Sequence, residues 1–145
     1  MTVHLIKLSV GVEDVQHLAR LQARRIADAR KRGETPELKH ITRNTPKQAD
    51  EILDGGSIYW VIKGFIRARQ PIIGIRPFKR DDGRPACALV LDSGLVRTEP
   101  RSFRPFQGWR YLMVENAPLD APPADGPADE VPIEMMEELK GLGLL

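Results

Sequence analysis

Apolar positions recur along this chain with two periods. Residues 2–10, TVHLIKLSV, alternate loosely, which is the period of a strand. After Glu13-Asp14 the period lengthens, and Val15, Leu18, Ala19, Ile26 and Ala29 form one helical stripe that can pack on a sheet. Arg20, Arg24 and Lys31 run along another side of that helix. The acidic pair suits the positive end of the helix dipole, and Gly33, with Pro36 beyond, predicts the stop. Residues 39–42 predict a short strand. Thr45-Pro46-Lys47-Gln48 combines a cap, a proline at the first helical position and a glutamine three residues on, so a brief helix is predicted over 46–53. Strands follow at 57–69, 72–78, 86–92, 95–98 and 109–114, with Asp81-Asp82-Gly83 as a hairpin turn.

The longest apolar-rich run is GGSIYWVIKGFIRARQPIIGI, residues 55–75, yet cations are threaded through it. Read as an alternating strand, it places Ile58, Trp60, Ile62, Gly64, Ile66 and Ala68 on one face, apolar throughout and therefore core. Ser57, Tyr59, Val61, Lys63, Phe65, Arg67 and Arg69 fall on the other. Rings interleaved with cations on one face of a sheet are what single-stranded nucleic acid requires: bases stack and phosphates pair with Lys or Arg. A helix laid over the same face would hide it.

The order strand, helix, strand, short helix and then a run of strands predicts an α+β domain. Its sheet should be bent and largely antiparallel, or closed into a small PUA-like β-barrel. Residues 1–115 are read as the domain, and 116–132 as a proline-rich acidic linker or arm. Residues 133–145 are read as a short C-terminal helix with an apolar tail, able to dock on its own domain or on a second copy.

Charge sharpens this division. Residues 1–115 carry 21 Lys+Arg against 13 Asp+Glu, a net +8, and residues 116–145 carry 1 against 7, a net −6. A basic body suits a polyanion, and an acidic arm suits a basic face. A lone cysteine, Cys87 in ACALVL, excludes an internal disulfide and reads as a buried thiol. No apolar run reaches the ~20 residues that span a bilayer, so a cytoplasmic location without membrane contact is expected.

Two further stretches carry chemistry. RSFRPFQGWRYL, residues 101–112, mixes Arg101, Arg104 and Arg110 with Phe103, Phe106, Trp109 and Tyr111, and arginine both stacks on rings and forks onto phosphate. HITRNTP, residues 40–46, groups His40 and Arg43 beside a helix start. His40 is the best available general base if there is catalysis. No metal-type histidine spacing, phosphate loop or nucleophile elbow is present, so no cofactor and no metal is expected.

HITRNTPKQADEILDGGSIYWVIKG, then RQPIIGI and FQGWRYL, resemble an uncharacterised bacterial family catalogued as domain of unknown function 1489, found mainly in alphaproteobacteria. The resemblance runs from TVHLIKLSVGV to Leu112. It implies membership and brings no activity and no catalytic residue. A weaker likeness, of element order alone, is to the PUA/ASCH/EVE group of small barrels that bind RNA or modified bases. The Gly-x-Lys-x-x-Glu-x-Arg pattern of the ASCH type is missing, with Gly55-Gly56-Ser57 where its Gly and Lys would stand.

Three functions follow as expectations. The first is a module binding RNA, single-stranded nucleic acid or a nucleotide through Tyr59, Lys63, Phe65, Arg67, Arg69, Arg101, Arg104, Trp109, Arg110, Tyr111 and Arg43. The second is a small enzyme acting on a nucleotide or other anion, with His40, Arg43 and Lys63 around one pocket. The third is a protein-interaction module or homodimer held through the C-terminal arm.

Overall fold

The computed structural model describes residues 1–122. Strand β1 (Val3–Leu8) leads through helix α1 (Val15–Lys31) to β2 (Leu38–Thr42) and the short α2 (Ala49–Leu53). Strands β3 (Ser57–Ile62), β4 (Phe65–Lys79), β5 (Pro85–Leu91), β6 (Val96–Ser102) and β7 (Trp109–Met113) follow. They make one open seven-stranded sheet in the order β2-β5-β4-β3-β1-β7, with β6 paired to β4. The β1–β3 pair is parallel and the other pairs are antiparallel. The α+β reading therefore stands. The closed PUA-like barrel does not form, because β2 and β7 end the sheet without pairing with each other. The expected C-terminal helix lies outside the described residues, as does most of the proline-rich arm. Among the described residues no helix is long and apolar enough to cross a membrane.

Helix α1 starts where the acidic pair places it. The Asp14 carboxylate caps it, accepting the His17 N–H at 2.7 Å. Its buried face is Val15, Leu18, Gln22 and Ala29, while Ala19, expected on that stripe, is exposed. Gln22 is tolerated there because its amide pairs reciprocally with Gln70 at 2.8 and 2.9 Å. The Gln70 oxygen also accepts the Trp60 indole N–H, and its amide nitrogen donates to the Asp92 carbonyl. A buried polar group satisfied this fully pins the helix to the centre of the sheet. Helix α2 begins at Ala49, three residues later than Pro46 suggested. Thr45 does not cap it; Gln48 stands at the cap and gives its backbone N–H to the Tyr111 hydroxyl.

The run at 55–75 is a hairpin. Lys63 and Gly64, at φ 50° and 85°, form a two-residue turn of the mirror-image type that suits twisted strands, and Ile62 pairs with Phe65 across it. The break expected near Pro71 is absent. There β4 changes neighbour, from β3 to β5, a junction that tolerates a residue lacking an N–H. Strand β4 also bulges at Arg67, where Trp60 opposes Ala68 but Val61 opposes Ile66. One extra residue inverts the alternation. Ala68 joins the core beside Trp60, and Ile66 joins a second core on the opposite face. The two had been expected to share a face.

Both faces of the central strands are thus covered. The larger core lies under α1 and includes Leu5, Leu18, Ile58, Trp60, Leu89 and the fully buried Cys87. The smaller holds Ile6, Tyr59, Val61, Ile66 and Leu112 under Phe103 and Phe106.

Lys63 occupies a left-handed conformation that asparagine adopts more readily. Lys63→Asn should therefore raise stability by about 0.5–1 kcal/mol. The comparison belongs in urea denaturation at high salt, which screens the exposed Lys63–Glu13 ion pair in the parent protein. A lower midpoint for the variant would contradict the turn assignment.

Candidate anion-binding cleft

The strand face that the alternation suggested for binding is closed. Tyr59 is only 4% exposed, edge-on to the His4 ring, within the smaller core against which Phe103 and Phe106 pack. Burial pushes its phenol pKa up. Arg67, at the bulge, is 2% exposed, with its guanidinium 5.7 Å from the Phe65 ring centre. Arg69 forks onto the Asp120 carboxylate at 2.7 and 2.9 Å, and this hydrogen bonding holds the acid below its usual range. Lys63 stands at the turn tip against Glu13. These five side chains form no single open surface.

Strand alternation also divides the 101–112 stretch. Phe103 and Phe106 meet edge to face over the smaller core, Arg110 lies 4.7 Å from the centre of the Phe106 ring, and Arg101 donates to the Asn116 carbonyl. Arg104 is exposed. Trp109 and Tyr111 turn the other way, onto the larger core. The Trp109 indole N–H donates to the Asn44 carbonyl at 3.2 Å, and Tyr111 accepts from Gln48. These bonds draw β7 toward the loop after β2, although the two strands do not pair.

The curl leaves a cleft of about 800 Å³ between the end of β1, the end of β2, the β4–β5 turn and the approach to β7. Its cations are Lys7, Arg43 and Arg80, its rings Phe106 and Trp109, and among the described residues no carboxylate lines it. Arg43 and Trp109 were candidates from sequence; Lys7 and Arg80 were not. Among the described residues none of the three cations is in an ion pair. Lys7 sits in register between Trp60 of β3 and Trp109 of β7, on the face that otherwise builds the core. Burial lowers its pKa. A partly desolvated cation with no acid beside it attracts an anion more strongly than one in open water.

Beyond Lys7 the cleft meets an inner chamber of about 280 Å³ under α1. His40 lines it, edge-on to Trp60 with ring centres 5.2 Å apart. A family model described as Protein of unknown function (DUF1489) matches residues 5–145. The chain belongs to that family. No curated protein and no solved structure matches the chain at a significant level. The DUF1489 match takes in all the described elements but the first two residues of β1, and every residue that lines the two cavities lies within it.

The chemistry open to this DUF1489 chain is bounded by His40. Burial, then Lys7 and Arg25, depress its pKa to about 4. An imidazole of that basicity is a weak general base at neutral pH. Lys63, expected beside it, lines neither cavity, and among the described residues no carboxylate or thiol does. Among the described residues no group of His, Cys, Asp and Glu could hold a metal ion. The side chains that converge can bind an anion and stack a ring.

Proposed function

We propose that this protein binds single-stranded nucleic acid, RNA included, or a nucleotide in the cleft between β1, β2 and β7. Phosphates meet Lys7, Arg43 and Arg80, and bases lie against Trp109 and Phe106. The observation that carries the reading is the charge set: three cations and, among the described residues, no carboxylate, in a cleft that Phe106 and Trp109 also line. The cations supply affinity independent of sequence, and each stacked base adds about 1–3 kcal/mol. The residues differ from the strand face first expected, but the pairing of rings with cations is the same.

Fluorescence anisotropy with a labelled single-stranded oligonucleotide tests it. Three phosphate contacts should give a slope of about −2 for log K against log salt between about 50 and 200 mM. Absence of binding at both salt concentrations removes the proposal.

A further inference from the structure

We infer that the inner chamber under α1 is a second anion site, one that takes a doubly charged oxyanion such as a phosphate monoester and adds a proton to His40 as the anion binds. It stands on residues apart from the outer cleft, Lys7, Leu8 and Val10 excepted, and does not require that nucleic acid bind there.

Three cations from three elements line the chamber: Lys7 from β1, Arg25 from α1 and Lys39 from β2. Among the described residues no carboxylate lines it. Lys39 has an acidic neighbour, Glu37 at 3.6 Å, which does not reach the chamber wall. The remaining polar group of α1, Gln22, is already engaged with Gln70. Strands β3 and β5 contribute Trp60 and Leu91, which carry no charge. His40 thus faces the positive charge of Lys7 on β1 and of Arg25 on α1, and among the described residues its buried Nε2 has no hydrogen-bond partner. Buried polar atoms are seldom left so.

Those conditions hold the imidazole neutral, and an oxyanion reverses them. It supplies the negative charge that Lys7 and Arg25 lack among the described residues and offsets their repulsion of a proton on His40. The imidazolium then lies 5.2 Å from the Trp60 ring centre, within cation–π range. About 280 Å³ is just under the usual range of small-molecule sites and suits a phosphoryl group with a short substituent.

Sulfate is the probe, because it keeps its double charge across the range tested, so any pH dependence of its binding belongs to the protein. The His40 imidazole and the Trp60 indole are followed by NMR. Without sulfate, His40 should titrate near pH 4. With saturating sulfate its midpoint should move toward the ordinary value of about 6.5, and sulfate should bind at least about tenfold tighter at pH 5 than at pH 7.5. His40→Gln should still bind sulfate, with that pH dependence gone. Lys7→Met should lose binding; Arg25→Gln, on an exposed helix position, gives the same test should Lys7→Met unfold. Unmoved His40 and Trp60 signals at tens of millimolar sulfate overturn the inference, and so does a pH dependence that survives in His40→Gln. Oligonucleotide binding is read separately, so failure of either site leaves the other standing.

Discussion

Replacing Lys7, Arg43 and Arg80 together by glutamine should weaken oligonucleotide binding by at least about 100-fold and bring the salt slope from about −2 to near zero. Each cation contributes a phosphate contact, and a hydrogen bond to a charged group is worth about 1.5–3 kcal/mol, so three losses exceed two decades even after imperfect geometry is allowed for. The slope matters more than the affinity. A variant that merely distorts the cleft loses binding at every salt concentration and keeps its slope. A variant that has lost the phosphate contacts loses the slope as well. Arg43 and Arg80 are exposed, and Lys7 has no ion pair among the described residues, so all three changes leave the described ion pairs intact. A matched triple variant at Arg20, Arg24 and Lys31, on the outer side of α1, controls for net charge. If it loses as much affinity as the cleft variant, binding belongs to the basic body at large and not to the cleft.

The element order could be read from periodicity because helix and strand signals are local: the Asp14 cap, the Asp81-Asp82-Gly83 turn and the apolar strands each declare themselves within a few residues. What could not be read depends on contacts far apart in sequence. The face carrying Tyr59 is closed by Phe103 and Phe106, and Arg69 is engaged by Asp120, 51 residues on. The Arg67 bulge is invisible to a period-two reading, and it is what separates Ile66 from Ala68. The Lys63-Gly64 turn is signalled only by its glycine, since lysine rarely takes a left-handed conformation, so Pro71 looked like the better break. Of the cleft, Arg43, Phe106 and Trp109 stood out by composition, and of the chamber, His40. Lys7 did not, though a signal existed: in VHLIKL it shares the parity of Val3 and Leu5, which makes it a cation on the core face of a strand. Such a residue needs a partner or a ligand. Arg80 reaches the cleft because β4 and β5 stay paired beyond the end of β2 before the chain turns.

Gly56→Ala should destabilise the fold by about 3 kcal/mol or more, a drop of roughly 10 °C in Tm. A Cβ at residue 56 would lie 2.3 Å from the Val3 carbonyl oxygen and 2.5 Å from that of Ile52, both backbone atoms. Neither can yield alone. The Gly56 N–H donates to Ile52 at 2.7 Å and its carbonyl accepts from Ile72 at 3.0 Å, so the residue ties α2 to β4 while it touches β1. Making room means moving α2 off the sheet, and with it the fully buried Ile52. The neighbouring glycine separates this effect from backbone conformation. Gly55 has φ 86° and nothing nearer to an added Cβ than the Thr2 hydroxyl at 3.9 Å, so Gly55→Ala carries the left-handed penalty of about 1–2 kcal/mol and no clash. Gly56 has the opposite character, since its φ lies outside the left-handed region and its cost is wholly steric. Urea denaturation of the two variants side by side should therefore rank Gly56→Ala as the more damaging. The reverse order would mean that α2 sits less tightly against β1 than described, and with it the Gln48–Tyr111 contact that helps shape the cleft.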